Sequence, residues 1–276
     1  MSEDVNGNYG SQAEQPSEPP DWLKRFSQFL ETPKKPLPSN IKRLGEELLM
    51  QARADLREFR RKYDSKDYPR SIFWLQQSAE KATKGLFVLL GLIHPDDLQR
   101  KIGHLTPLAF LQIIESDEFG WIPDFVEWLE GLAVTKGINL SFDVREVRQI
   151  IRQNRREIAK LTPTQVDSLI QFAQSFRTQL LPLINIRWKL YRLSATAEHK
   201  ELIAKGNTKG LGKAVVATLR LYIIALVTFP HWDTTRYPSE GFSPIIYTPE
   251  LGVVAKATTL ASMLVASLRE LESYTC

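Results

Sequence analysis

Five polar side chains interrupt an otherwise apolar helical pattern in WLQQSAEKATKGLFVLLG, Trp74 to Gly91. In a helix, Gln76, Glu80 and Lys84 recur every four residues and share one stripe, with Gln77, Lys81 and Lys84 beside it. Phe73, Leu75, Ala79, Ala82, Leu86 and Leu90 make the apolar side. A carboxylate four residues before an ammonium is the favourable order for a helical ion pair, and such a pair can bind or move charge. Inside a bundle it must also be satisfied, because unpaired buried polar groups are costly. Asp55 on the preceding helix, and Arg236 or Tyr237 in a late loop, are the candidate partners. His104 follows Gly103 at a helix start, where it can cap that helix or reach Glu80 across the loop. The spacing favours organising the bundle over direct catalysis.

The second chemical signal is basic. Arg145, Arg148, Arg152, Arg155 and Arg156 recur every three or four residues in VREVRQIIRQNRREIAK, opposite Val144, Val147, Ile151 and Ile158. Guanidinium groups bind phosphate oxygens in pairs, so this stripe suits a nucleic-acid backbone. Glu146 and Glu157 partly neutralise it, as on an ordinary solvated face. Trp121, Trp128 and Trp188 fall at helical spacing and read as core. GNTKGLGK, Gly206 to Lys213, looks superficially like a phosphate loop. It lacks the required glycine spacing, carries Ala214 where Ser or Thr would bind magnesium, and follows no strand, so it reads as a hinge.

Helices must position these groups. Ile41, Leu44, Leu48, Ala52, Leu56 and Phe59 mark one long helix, with Ser39 or Asn40 as its cap. Pro69 starts the next, and Gly91 suits its end. A third begins in LTPLAFLQII. Ile122 to Val134 is short, Phe142 to Leu161 amphipathic, and Thr162-Pro163 caps a long helix that Pro182 kinks or ends. After a flexible glycine-rich stretch at Ala204 to Lys213 come helices at Leu211 to Phe229 and Leu251 to Leu271, separated by a loop rich in Pro and aromatics. No alternating strand run is present, so the fold class is all-α, an antiparallel helical bundle.

The 276 residues are 43% hydrophobic, enough for a core. The longest apolar run, Ala214 to Phe229, is short and carries Arg220, so no membrane span is expected. Cys276 is the single cysteine, which excludes an internal disulfide and a thiolate zinc site; no metal and no cofactor are expected. The net charge is +4, yet residues 1–20 hold Glu3, Asp4, Glu14 and Glu18 with no Lys or Arg. A basic body therefore follows an acidic tail that is expected to be disordered, and the setting is expected to be cytoplasmic.

ARADLREFRRKYDSKDYPRSIFWLQQSAEKATKGLFVLLG, followed by IGHLTPL, resembles the HEPN domain (higher eukaryotes and prokaryotes nucleotide-binding). The resemblance rests on Ala52, Asp55 and Leu56, then Tyr68, then Gln76, Gln77, Glu80, Lys81 and Lys84, then Gly103, His104 and Leu105, with Ser78 where the family usually has Ala. TTRYP, Thr234 to Pro238, and the helix after Thr248 resemble the family's closing loop and last helix. The resemblance implies a four- or five-helix bundle built from 41–115 and 208–276. Residues 116–207 would form a helical insertion, 1–20 the tail, and 21–40 a short helix with a Pro-rich linker. It implies a homodimer that binds RNA or a nucleotide, in a toxin–antitoxin-like or defence setting, with a nucleotidyltransferase-type protein as possible partner.

The expected binding residues are Gln77, Glu80, Lys81, Lys84, His104, Arg145, Arg148, Arg152, Arg155, Arg236 and Tyr237. Two alternatives stand beside that reading. One is an assembly module for a protein partner. The other is a metal-independent endoribonuclease, since RNase members pair an Arg with a His across four to six intervening residues. Arg192 and His199 have that spacing here, but in the inserted region. In the late helix, Arg220 is too far from His231 to fit.

Overall fold

The computed structural model describes Asp21, Arg25 and residues 37–89, 91, 93–98, 103–114, 120–134, 144–180, 182, 208–235 and 243–275. Among the described residues there are helices and connecting turns and no strand. Helix α1 spans Ser39–Asp64 and α2 spans Tyr68–Leu89, joined by a three-residue turn in which Lys66 adopts φ 61°. The chain continues through α3 (Thr106–Ile114), α4 (Trp121–Val134), α5 (Val144–Gln153), α6 (Arg155–Ala159) and α7 (Pro163–Ser175). A turn of π-helix, Phe176–Leu180, closes α7. Then come α8 (Thr208–Thr228), α9 (His231–Thr234), a 3-10 turn at Pro244–Ile246, α10 (Gly252–Ala255) and α11 (Ala257–Thr275).

Helix α2 is the centre of the molecule. α1, α8, α9, α10 and α11 all pack against it. Its buried residues include Ile72, Leu75, Ala79, Ala82, Leu86 and Phe87, and also Gln76, Glu80, Thr83 and Lys84. The sequence pattern suggests one apolar side, but neighbours cover nearly the whole circumference, so the polar stripe is carried into the interior. α1 buries Leu49, Ala52, Leu56 and Phe59 at steps of three and four. α1 and α2 cross closely because two glycines meet: a Cβ added at Gly85 would lie 2.9 Å from the Gly45 carbonyl oxygen. Ser78 Oγ, also at the crossing, donates to the Ala52 carbonyl at 2.6 Å.

Helix α7 begins with the expected cap. Thr162 Oγ1 accepts from the Gln165 amide at 3.3 Å, and Gln165 Oε1 accepts from the Thr162 amide at 2.9 Å. Its buried Val166, Ile170 and Ala173 belong to the same core as α2 and α8. The Gly252 amide donates to the Leu161 carbonyl at 3.0 Å, which fastens the start of α10 to the turn before α7.

Several boundaries differ from the sequence expectation. The residue preceding α1 is Pro38, without a side-chain cap; Ser39 and Asn40 already lie in the helix. Thr208 to Lys213, expected as flexible, form the first turns of α8. The expected helix from Phe142 to Leu161 breaks at Asn154, whose φ −105° and ψ 25° leave the helical region. Asparagine favours such breaks because its short amide competes for backbone hydrogen bonds. His231 to Thr234, expected as loop, form the short helix α9.

Candidate functional site

The polar stripe of α2 converges on one carboxylate. Glu80 Oε1 accepts from Lys84 Nζ at 2.6 Å, and Oε2 accepts from Gln76 Nε2 at 2.8 Å. His104 Nδ1 lies 3.0 Å from Glu80 Oε2. A carboxylate only accepts, so Nδ1 carries the proton of that bond. Gln77 Nε2 donates to Gln76 Oε1 at 2.6 Å and extends the chain outward. Gln76, Glu80 and Lys84 are buried, whereas the His104 side chain is 38% exposed. Burial alone would push the Glu80 carboxyl up. The Lys84 charge and hydrogen bond, with those from His104 and Gln76, outweigh it and hold the group below the usual carboxylate range.

Asp55 behaves in the opposite way. Its Oδ2 accepts from Lys81 Nζ at 2.6 Å. Burial pushes its carboxyl up, and Lys81 together offsets only part of that, while the nearby Glu80 charge adds to it. Asp55 is therefore the partner of Lys81, not of Glu80. Arg236 and Tyr237, the other candidate partners, lie outside the described residues.

His104 reaches its place through the turn before α3. Gly103 takes φ 51°, a left-handed conformation that glycine adopts without strain, and its amide donates to the Leu98 carbonyl at 3.1 Å. On its other side the His104 ring stacks on Trp232, with centroids 4.4 Å apart and planes 12° from parallel. The Arg155 guanidinium sits 5.4 Å from the Trp232 ring centroid, and Arg155 Nη2 donates to the Pro230 carbonyl at 3.0 Å. Three remote stretches of chain thus meet at one half-buried patch: the turn before α3, α6 and α9.

Arg155 departs from the expected stripe. The break at Asn154 separates it from the exposed Arg145 and Arg152 and the half-buried Arg148. Those three line an open depression of about 230 Å3 with Gln149 and Gln153. Ile151, on the opposite side of α5, is buried as expected.

Arg220 of α8 and His231 of α9 are both buried. Arg220 is 7% exposed and pairs with Glu270 of α11 at 3.4 Å. Burial lowers its pKa, and the Glu270 charge opposes that shift. His231 is fully buried, with Nδ1 2.8 Å from the Tyr247 hydroxyl. Burial, with the Arg155 charge nearby, lowers its pKa to about 3, so it is neutral at physiological pH. Its Nε2 has no hydrogen-bond partner among the described residues. Arg192 and His199 lie outside the described residues.

Among the described residues, no group of three or more His, Cys, Asp or Glu is arranged to hold a metal ion. No described helix is long and apolar enough to cross a membrane. A family model described as HEPN domain matches residues 46–179. Over that stretch the chain is similar to the HEPN family. The match begins inside α1 and ends in the π-helical turn after α7, so it includes the α2 stripe, His104 and the arginine depression. Neither the curated proteins nor the solved structures yield a significant match.

Within the matched segment, the structure brings together Gln77, Glu80, Lys84 and His104, and places Lys81 beside them on Asp55. Arg145, Arg148 and Arg152 form a second group. Trp232 is the contact that the sequence reading missed. Its one signal was the aromatic and proline density of PHWDTTRYP.

Proposed function

We propose that this HEPN-like protein binds RNA or a nucleotide, as a dimer, and does not act as a strong nuclease. The observation that carries the reading is the depression formed by Arg145, Arg148 and Arg152 with Gln149 and Gln153. Arginine forks suit phosphate oxygens, and the glutamine amides can both donate and accept. The burial of Arg220 and His231 supports the non-catalytic side of the reading, because neither can meet a scissile phosphate where it stands. The Glu80 network serves as the frame of the site, with His104 as its outward member.

Binding of a labelled single-stranded RNA across a salt series tests this. Affinity should fall with log salt at about −0.7 per neutralised phosphate. Replacing Arg145, Arg148 and Arg152 together by Gln should weaken binding and flatten that slope at unchanged melting temperature, since Gln keeps helix propensity. Equal affinity in the triple variant would refute the arginine site. RNA cleavage in EDTA, lost in both Arg192→Ala and His199→Ala, would replace the binding reading by the endoribonuclease one.

A further inference from the structure

We propose that the stacked rings of His104 and Trp232 form a platform for one unpaired nucleobase. The inference rests on the RNA or nucleotide reading above and adds a recognition element to it. Its basis is the geometry of the pair. Several aromatic contacts of the core meet edge-on, Phe87 with Phe110 at 74°, Phe110 with Tyr222 at 76° and His231 with Tyr247 at 70°, while Phe59 and Tyr63 tilt at 39° and Phe125 and Trp128 at 26°. Edge-to-face contacts terminate a stack. His104 and Trp232 are instead nearly parallel, at 12°, and half-buried. Arg155 lies over the Trp232 ring, so the end of this short ladder that another flat ring can extend is the His104 ring, whose side chain is 38% exposed.

Both rings are fixed before any ligand arrives. Glu80 holds His104 through Nδ1, which directs Nε2 away from the buried network. Trp232 follows His231, which is anchored to the Tyr247 hydroxyl, and Pro230, whose carbonyl accepts from Arg155. Thr235 Oγ1 donates to the His231 carbonyl at 2.9 Å and secures the other side of α9. A platform built this way spends little conformational entropy on binding. Arg155 over the Trp232 ring adds positive charge beside the stack.

The arginine depression and Arg155 at the platform follow one another along the chain, on either side of the break at Asn154. Arg155 lies three residues beyond Arg152, and α3, which begins just after His104, packs against α5. Phosphates held along Arg145, Arg148 and Arg152 would bring a neighbouring base to the rings. Every base has a π-face, so the class of ligand is single-stranded RNA with little sequence preference.

The test compares a ten-nucleotide oligoadenylate with an abasic ribose-phosphate oligomer of the same length. Both present the same phosphates, and only the first can stack. The wild type should bind the oligoadenylate roughly 5- to 150-fold more tightly, the range for one stacked base. Trp232→Leu and His104→Leu fill similar space without a π-face and should shrink that preference to within about twofold. Trp232→Phe should keep most of it. Melting curves identify the folded variants, and Trp232→Phe guards against loss of Trp232→Leu to misfolding. If the wild type binds both oligomers equally, or folded Trp232→Leu keeps the preference, the platform is refuted while the arginine reading stands. If the wild type binds neither at low salt, both readings fall.

Discussion

Removing the Glu80 carboxylate should be among the most costly single changes in the bundle. Glu80→Ala strands three donors: the Lys84 ammonium, the Gln76 amide and His104 Nδ1. Lys84 is 8% exposed and Gln76 1%, so water cannot replace the lost acceptor without opening the helix packing. Breaking a buried ion pair from one side costs about 3–5 kcal/mol, because a charge is left uncompensated. The unsatisfied amide alone would cost about 1–3 kcal/mol, and the two penalties overlap, so about 3–5 kcal/mol is the expected total. The double change Glu80→Leu with Lys84→Met removes both charges and keeps the volume. It should recover to within about 2 kcal/mol of wild type. Urea unfolding at pH 7, with slopes compared to confirm a common unfolding transition, measures both. The pH dependence supplies a further check. The Glu80 carboxyl titrates below its ordinary 4.5 in the folded chain, so its contribution is full above that value and disappears as pH falls below it. A Glu80→Ala protein within about 0.5 kcal/mol of wild type, a spread typical of surface substitutions, would refute the account. So would a double variant no more stable than the single one.

His231 predicts a different pH response. Its pKa falls from 6.5 to about 3 on folding, so the unfolded chain takes up the proton first, and stability is full above pH 6.5 and declines below it. The slope is about 1.4 kcal/mol per pH unit, or about 2 kcal/mol between pH 6.5 and 5; subtracting the His231→Gln unfolding profile isolates it, and identical slopes in the two proteins would exclude it. Light scattering at micromolar concentration should give the mass of a dimer with or without reductant, and a monomer mass would remove the dimer from the proposed function.

The α2 stripe was legible in the sequence because i, i+4 spacing places Gln76, Glu80 and Lys84 together whatever surrounds them. The reach from His104 to Glu80 was legible for a similar reason: a glycine turn before a helix start leaves few directions for the side chain. Asp55 was correctly suspected as a buried partner, but periodicity does not say which lysine or carboxylate it faces. That depends on the α1–α2 crossing, which the Gly45–Gly85 contact sets. Arg155 was placed on the wrong group because helical spacing was carried through Asn154. Trp232 was hidden because its partner lies far away in sequence, and a lone tryptophan in a proline-rich loop carries no periodic signal. The all-α class and the start of α7 needed only local rules, propensity and capping, and both appear as expected.

The short turn between α1 and α2 has a consequence for synthesis. The two helices can pair as soon as both have emerged, since their contacts close only a small loop. Their other partners, α8 and α11, begin more than a hundred residues after α2 ends. At about 5–20 residues per second, the hairpin waits roughly 6–24 s before α8 begins. Through that interval the side of α2 that α8 and α11 later cover faces water or whatever else is nearby. Protease digestion of chains stalled after residue 150 should find α1 and α2 already protected against cutting at Gly45 and Gly85; cleavage there as fast as in an unfolded chain would show that the pair forms only once the late helices arrive.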